Sequence, residues 1–364
     1  MNICFMLGGF YKNGGIGRVT SIVANALSEE ENINVYTLSY VKYDKPYLYC
    51  ISQNIHDDHF LNAPQNMGVS MLRGGIKRLK EYIRKNSIDI LIACGALFFP
   101  ICALACKDEN CKCICWEHSN GNNSEDHHFQ MLCRKVGCRY SDSILNITKQ
   151  DQEIYRSKFG KQTYFQIYNP LDFALEKENS LYNEQTKRII TVGRLCYQKN
   201  YPALIKVAKE VFNTNNEWEW DIYGEGKDRQ EIETLIQNEG LSQRVHLKGQ
   251  VSDLYSRYKQ YSFLVMTSRY EGFGMALIEA SSRKLPVIAF DVECGPREII
   301  QNEKNGFLVP AFDCSLMADQ IKRLCESQEL RKQMSEASTE LSQRFAIGTI
   351  KAQWIKMLNT VNEL

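Results

Sequence analysis

One stretch of the sequence carries the strongest indication of the fold: Phe263-Leu264-Val265-Met266-Thr267-Ser268-Arg269-Tyr270-Glu271-Gly272-Phe273-Gly274-Met275-Ala276-Leu277-Ile278-Glu279. It opens with a short apolar run, and a helical pattern begins near Gly274. A buried strand that leads through a glycine-containing loop into a helix is typical of a parallel sheet. Because each carboxylate can accept two hydroxyl hydrogen bonds, Glu271 and Glu279 predict a site for a hydroxyl-rich ligand. The alternative is that both are ordinary surface glutamates.

The same alternation of short apolar strands and amphipathic helices extends through both halves of the chain. It predicts strands at residues 3–7, 34–38, 88–93, 112–116 and 143–147, and again at 188–192, 219–223, 245–247, 263–266, 286–289 and 307–309. Strand–helix alternation of this kind predicts parallel sheets with helices on both faces.

The alternation pauses over residues 169–186, a polar segment that contains Pro170 and lacks periodicity, as expected of a linker. We therefore expect a first domain over residues 1–168 and a second over residues 187–345. The last helix, within residues 346–364, is expected to join the first domain. Ligands of doubly wound sheets bind beyond the carboxyl ends of the strands, so two such domains would place a site in the cleft between them.

The composition is that of an ordinary globular protein, with 44% hydrophobic and 24% charged residues. A formal charge of +1 gives no general case for binding nucleic acid. No apolar run reaches the ~20 residues that a membrane span needs. The 14 cysteines lack the paired spacing of a zinc site, and the sequence shows no export signal. They predict free core thiols in a reducing, cytoplasmic compartment, with a metal site as the alternative.

Two loops have the composition of phosphate-binding loops. After the first strand, Gly8-Gly9 and then Gly14-Gly15-Ile16-Gly17-Arg18 open a helix, where backbone N–H groups favour an anion. The alternative for this loop is a structural turn, and its spacing lacks the Gly-x-Gly-x-x-Gly of a dinucleotide site. After the strand at 188–192, Arg194 and Lys199 either hold a diphosphate or are solvated loop charges.

Glu271-x7-Glu279, in its setting Ser268-Arg269-Tyr270-Glu271-Gly272-Phe273-Gly274-Met275, resembles the donor-site motif of the family-four retaining glycosyltransferases. Other segments similar to family motifs occur in the family's order: Gly14–Arg18, Gly193-Arg194-x4-Lys199, Gly224-Glu225-Gly226 and Asn305-Gly306. The motifs span nearly the whole chain and are specific for the family rather than for a substrate. The resemblance implies an α/β protein of the GT-B fold, with two doubly wound Rossmann-like domains facing across a cleft.

The resemblance also implies roles for individual residues in binding a nucleotide diphosphate sugar. Arg194 and Lys199 would bind the diphosphate, Glu279 the ribose, and Glu271 a hydroxyl of the donor sugar. In this family a histidine after an N-domain strand lies beside the donor sugar. The segment Trp116-Glu117-His118-Ser119 matches that place, which makes His118 a candidate active-site residue, with a structural histidine as the alternative. The donor would also be lined by Gly15, Gly17, Phe273, Gly274 and Met275, and neither a metal nor another cofactor would be required.

These features predict a retaining transferase that moves a hexose or N-acetylhexosamine from a nucleotide diphosphate sugar, most simply a UDP-sugar. The acceptor would be a glycan or lipid-linked glycan, as in surface polysaccharide synthesis. Three alternatives remain: a nucleotide-sugar epimerase of the same fold, a non-catalytic glycan-binding protein, and a dinucleotide oxidoreductase. The glycine spacing argues against the oxidoreductase, and the intact set of Arg194, Lys199, Glu271 and Glu279 argues against the binding protein.

A basic amphipathic helix is predicted over residues 70–85. Leu72, Ile76, Leu79 and Ile83 form an apolar stripe. The flanking cations are Arg73, Lys77, Arg78, Lys80, Arg84 and Lys85. Such a helix either rests on an anionic membrane at the inner face or packs its stripe against its own sheet and leaves the charges in water.

Overall fold

The structure is a computed structural model that describes residues 1–11, 14–61, 69–122, 128–160, 163–176 and 182–364. The side chains of residues 69–73, 173 and 176 also lie outside the description. The chain divides into two compact units. The first comprises Met1–Pro170 with Ile347–Leu364, and the second comprises Leu171–Ala346.

The first unit contains a seven-stranded sheet in the order β3-β2-β1-β4-β5-β6-β7, in which all paired strands run parallel. Its strands are β1 Asn2–Leu7, β2 Asn34–Val41, β3 His56–Leu61, β4 Ile90–Cys94, β5 Lys112–Trp116, β6 Ser143–Asn146 and β7 Thr163–Gln166. The central strand β4 is buried at every residue. Such continuous apolar burial is expected where helices cover both faces of a parallel sheet.

Two strands of this sheet, β3 and β7, are absent from the sequence prediction, and they form its two edges. β3 begins His56-Asp57-Asp58-His59, and its first three residues are exposed. An edge strand has a neighbour on one side only and tolerates polar residues toward solvent. β3 therefore lacks the apolar run that revealed the central strands, and β7 is only four residues long with polar ends.

The helices alternate with the strands along both units. In chain order they are α1 Gly15–Leu27, α2 Val69–Asn86, α3 Phe99–Cys106, α4 His128–Tyr140, α5 Lys149–Phe159, α6 Phe173–Glu176, α7 Tyr201–Phe212, α8 Arg229–Asn238, α9 Leu254–Arg257, α10 Met275–Ser282, α11 Pro296–Ile299, α12 Cys314–Glu326, α13 Gln328–Ser342 and α14 Ile347–Asn362.

The last helix, α14, packs on the first unit although 176 residues of the second precede it. Its Trp354 ring lies 5.8 Å from that of Phe5 and 4.7 Å from that of Trp116, centroid to centroid. Lys351 forms an ion pair of 2.7 Å with Glu30. Buried aromatic rings contribute strongly to the stability of a core. Helix α14 is therefore part of the core of the first unit.

The second unit contains a six-stranded parallel sheet in the order β10-β9-β8-β11-β12-β13. Its strands are β8 Arg188–Val192, β9 Glu219–Tyr223, β10 Val245–Gly249, β11 Phe263–Met266, β12 Val287–Asp291 and β13 Gly306–Pro310. All six were predicted from the sequence. The α/β class with two doubly wound sheets is thereby confirmed.

The second unit begins earlier than the sequence indicated. The sequence predicted a linker over residues 169–186, but its described residues from Leu171 onward are attached to this unit. The Leu171 N–H donates to the Phe345 carbonyl at 2.7 Å, and the Tyr182 hydroxyl donates to the Ser262 carbonyl at 2.6 Å. These bonds, together with the short α6, place the boundary between the units at Pro170.

Helix α2 covers the predicted basic amphipathic segment. Leu79 and Ile83 of its stripe are buried, which is the packing expected of a helix on its own sheet. Leu72 and Arg73 lie outside the described side chains. Within the described ranges, no helix combines the length and apolarity needed to cross a bilayer.

Candidate active site

The carboxyl edge of the second sheet brings the predicted donor residues together. The strand order reverses between β8 and β11, which are neighbours in the sheet. Doubly wound sheets bind their ligands at such a reversal. Arg194 and Lys199 lie in the loop after β8, and Glu271 lies in the loop after β11.

Lys199 and Glu271 form a direct ion pair at this edge. The Lys199 Nζ lies 2.5 Å from Glu271 Oε1, and the Ser268 hydroxyl donates to the same oxygen at 2.6 Å. The side chains of Lys199 and Glu271 are 16% and 7% exposed, so water screens the pair only partly. A carboxylate held in this way has its acceptor oxygens fixed in direction, next to a cation.

The loops after β8 and β11 are also joined by hydrogen bonds. The Arg269 backbone N–H donates to the Gln198 carbonyl at 2.8 Å, and the Gln198 side-chain amide donates to the Tyr270 carbonyl at 3.1 Å. Arg194, by contrast, is exposed, and its guanidinium donates to the Gln198 side-chain oxygen over a long 3.3 Å. A guanidinium held this loosely is able to turn toward an arriving anion.

Glu279 lies on α10, which follows the loop of Glu271. It is 2% exposed, and its Oε2 accepts a hydrogen bond of 3.2 Å from the Tyr258 hydroxyl. Gly274 is the N-cap of α10, and Met275 is its half-buried first residue. The Phe273 side chain is buried, with its ring 5.5 Å from that of Phe345, so a ligand could meet this residue only through its backbone.

In the first unit, the glycine loop opens α1 as predicted from the sequence. The helix begins at Gly15, and its N-cap Gly14 provides no side-chain hydrogen bond. A Cβ atom at Gly17 would lie 3.2 Å from the Gly9 carbonyl oxygen, so the loop backbone folds closely on itself. The N–H groups of the first helical turn are not capped by a side chain of the N-cap, which is the state suited to an anion.

His118 lies two residues beyond β5 in the first unit. Its ring is 4.2 Å from that of Trp116, and its Nε2 is buried without a hydrogen-bond partner among the described residues. Burial lowers the pKa of His118 to about 4, although the neighbouring Glu117 carboxylate acts in the opposite direction. The imidazole is therefore neutral near pH 7, and its buried nitrogen is available for a hydrogen bond.

Two family models match the chain over most of its length. The model of Glycosyltransferase Family 4 matches residues 13–175, and the model of Glycosyl transferases group 1 matches residues 172–341. The chain is a family-four glycosyltransferase. The family resemblance predicted from the motifs is thereby confirmed, and so is the enzyme class.

Relatives of this glycosyltransferase align over its whole length. It is 27% identical to the amylovoran biosynthesis glycosyltransferase AmsD of Erwinia amylovora, over 98% of this chain and 99% of that one. It is 23% identical to an undecaprenol-diphosphate-linked glycan α-1,4-N-acetyl-D-galactosaminyltransferase of Campylobacter jejuni, over 99% of both. Among solved structures, HepE of Anabaena in complex with UDP and glucose has a TM-score of 0.84 at 18% identity, covering 98% of this chain and 99% of that one. The GT-B fold is thereby confirmed.

Several contacts of the candidate site in this family-four glycosyltransferase were not apparent in the sequence. Ser268 lies three residues before Glu271, a spacing that could have been noticed. Tyr258 precedes Glu279 by 21 residues and gives no local signal. The buried partners of Glu117, which are described below, likewise have no motif. Within the described ranges, no group of three His, Cys, Asp or Glu side chains could hold a metal ion.

Proposed function

We propose that this glycosyltransferase moves a hexose or N-acetylhexosamine from a UDP-sugar to a glycan or lipid-linked glycan, with retention of the anomeric configuration. The observation that carries the proposal is the fixed pair of Lys199 and Glu271 at the reversal point of the second sheet. A cation and an oriented carboxylate side by side suit a ligand in which a diphosphate adjoins a hydroxyl-rich sugar.

The proposed roles follow from the charges of the site. Arg194 and Lys199 would stabilise the negative charge that grows on the diphosphate as it leaves the sugar. Glu271 would bind a hydroxyl of the donor sugar, and Glu279 the ribose. A same-face reaction, in which the leaving phosphate helps to deprotonate the acceptor hydroxyl, requires no protein nucleophile. His118 would contact the donor sugar as a neutral imidazole.

The names of relatives support the proposed classes of donor and acceptor. The Erwinia relative is named for biosynthesis of amylovoran, and the Campylobacter relative for a transfer onto an undecaprenol-linked glycan. The Anabaena structure was solved with UDP and glucose. We therefore place the reaction in the assembly of a surface polysaccharide.

A thermal-shift screen against UDP-, GDP- and ADP-sugars tests the donor. A ligand that binds only the folded protein stabilises it, by about 2.7 kcal/mol at a hundredfold excess over Kd, and therefore raises the unfolding midpoint. We expect the UDP-sugars to give the largest shift. A larger shift with a GDP- or ADP-sugar would refute the UDP assignment.

The stereochemistry and the metal requirement are tested separately. An NMR assignment of the product should show the anomeric configuration of the donor, and activity should persist in EDTA. Inversion would overturn the retaining assignment, and complete loss in EDTA would overturn the metal-free one. An epimerase would instead convert the UDP-sugar to its epimer without an acceptor.

We further propose that α2 contacts an anionic membrane surface. Lys77 and Lys85 are exposed on this helix, whereas Lys80 donates to the Lys107 carbonyl at 2.8 Å and Arg84 pairs with Glu109. A lipid-linked acceptor would be met at such a surface, where each cation contributes about 1 kcal/mol.

A further inference from the structure

The loop that carries His118 is held by a buried carboxylate. The Glu117 Oε1 accepts hydrogen bonds from the backbone N–H groups of His118 and Ser119, each at 3.0 Å, and from the Ser119 hydroxyl at 2.8 Å. These bonds fix the backbone at His118 itself. The direction in which the imidazole leaves the chain is therefore set by the Glu117 side chain.

Glu117 is in turn held by partners from two helices. It is 1% exposed, and its Oε2 lies 2.8 Å from the Arg134 Nε of α4. The Tyr155 hydroxyl of α5 donates to the same oxygen, and Arg134 also donates to the Ser119 hydroxyl at 2.7 Å. Burial acts to raise the pKa of Glu117, but the Arg134 charge and the hydrogen bonds from Arg134, Tyr155 and Ser119 outweigh it and hold this pKa below its usual value.

The far end of the loop is held as firmly. The Asp151 carboxylate accepts from the Gly121 N–H at 2.8 Å, and Lys158 donates to the Gly121 carbonyl at 2.8 Å. A Cβ atom at Gly121 would lie 2.8 Å from the Tyr155 ring, so this ring packs directly on the loop backbone. The short segment after β5 is thus fixed at both ends by groups from α4 and α5.

We propose that Glu117, Arg134 and Tyr155 are positioning residues that hold His118 in place for the reaction of this glycosyltransferase. A buried ion pair contributes little to stability compared with apolar side chains of the same volume. Its effect here is to fix the loop that carries His118, whose buried Nε2 has no hydrogen-bond partner among the described residues. Active-site groups need such support because small displacements of a reacting group lower the rate steeply. The inference rests on the proposed role of His118 at the donor site.

The test compares Glu117→Gln and Tyr155→Phe with Asp221→Asn as a matched control. Asp221 is also a fully buried carboxylate bound by an arginine and a tyrosine, Arg188 and Tyr261, but it belongs to the second unit, whereas His118 belongs to the first. Three properties are measured for each variant: the 1H–13C signals of the His118 imidazole, the Kd of UDP, and the turnover of UDP-glucose and UDP-N-acetylglucosamine per folded molecule. The chain has 6 histidines, so His118→Gln suffices to assign the signal.

We expect Glu117→Gln to shift the His118 signals and to lower turnover by about 10- to 100-fold, with the Kd of UDP unchanged. Tyr155→Phe, which keeps the ring, should do the same to a smaller extent and keeps the test valid if Glu117→Gln does not fold. Asp221→Asn should change neither the His118 signals nor turnover.

Two results would overturn the inference. The first is an unchanged His118 signal in both variants, and the second is a lower unfolding midpoint with turnover per folded molecule as in wild type. Failure of the proposed function would look different, because UDP would then bind to none of the proteins, while the His118 signals would still report on the loop.

Discussion

At the scale of single residues, the ion pair of Lys199 and Glu271 determines how the candidate site can be probed. Both groups are largely shielded from water. Removing either charge leaves the other uncompensated, at a cost of several kcal/mol in a buried setting. An amide in place of a carboxylate keeps the shape, so changes to glutamine are preferable to changes to alanine, and stability must be measured in parallel.

Glu279→Gln and Glu271→Gln are expected to separate the two glutamates by ligand. Glu279→Gln should weaken the binding of free UDP, because charge-assisted hydrogen bonds to the ribose are worth about 1.5–3 kcal/mol. Glu271→Gln should bind free UDP like wild type and lose discrimination among UDP-sugars. Calorimetric titration with UDP and then with UDP-glucose and UDP-N-acetylglucosamine measures both effects. Equal weakening of UDP binding in the two variants would contradict this division.

At the scale of elements, the loop after β8, which carries Arg194 and Lys199, is held in place by the neighbouring loop after β9. The Gly193 N–H donates to the Tyr223 carbonyl at 2.9 Å, and the Leu195 N–H donates to the Glu225 carbonyl at 3.0 Å. Gly224 lies between these two acceptors with φ +141°, and a Cβ atom there would be 2.0 Å from the Gly193 carbonyl oxygen. The loop of Arg194 and Lys199 can keep its place only if residue 224 has no side chain.

Gly224→Ala is therefore expected to impair donor binding as well as folding. The backbone conformation alone should cost about 1–3 kcal/mol, and relief of the clash must move the loop of Arg194. Gly240→Ala is the control, since it also has a positive φ (+70°) but nothing within 4 Å of the added Cβ. Thermal unfolding and UDP titration should show a stability loss in both variants and a loss of UDP affinity in Gly224→Ala only. Normal UDP binding by folded Gly224→Ala would contradict this role.

Helix α5 carries the buried carboxyl group of Asp151, whose ionisation should make the free energy of unfolding depend on pH. Burial raises the pKa of Asp151 to about 7 from its ordinary 3.8, with the nearby Glu117 charge acting in the same direction. Between these values the folded state keeps a proton that the unfolded state has lost. The free energy of unfolding therefore falls as pH rises from about 4 to about 7, and then levels off.

Asp151→Asn should remove this dependence. Its amide oxygen can still accept from Gly121, and a half-turn of the Asn146 amide lets Asn146 Oδ1, which is buried without a partner among the described residues, accept from the new amide. The difference in free energy of unfolding between the variant and wild type should be more favourable to the variant at pH 8 than at pH 4, by on the order of 2–4 kcal/mol. Unfolding midpoints at both pH values measure this, with the exposed Asp44→Asn as control. A difference between variant and wild type that is the same at both pH values would contradict the assignment.

At the scale of the whole molecule, membrane contact is the property that charge reversal can test. Lys77→Glu/Lys85→Glu should reduce co-sedimentation with anionic vesicles by about 10-fold or more, because each reversal replaces an attraction of about 1 kcal/mol with a repulsion. Lys304→Glu/Lys332→Glu changes the net charge equally but lies in the second unit, and should bind like wild type. An equal loss in both double variants would indicate a net-charge effect, and no anionic preference in wild type would leave α2 a structural helix.

The sequence by itself determined the architecture of both units. Central strands of a parallel sheet are covered on both faces, so their apolar runs are visible in the sequence, and every predicted strand is present. Two edge strands of the first sheet were not predicted: β3 opens with charged and polar residues that resemble a loop, and β7 is a four-residue strand with polar ends. The edge strands of the second sheet, β10 and β13, were predicted because they keep apolar residues. The family was predicted from local motifs. Each motif is a loop formed by consecutive residues, so it is visible in the sequence without knowledge of the fold.

Only the tertiary structure decided which side chains meet. Lys199 and Glu271 are 72 residues apart, and Glu117 finds Arg134 and Tyr155 at separations of 17 and 38 residues. In a parallel sheet, loops from neighbouring strands meet at one edge whatever the length of chain between them. A contact of this kind leaves no periodicity in the sequence, because each partner satisfies its own local pattern. The candidate residues could therefore be identified from the sequence. The contacts that orient them could not, because they depend on the order of the strands in each sheet.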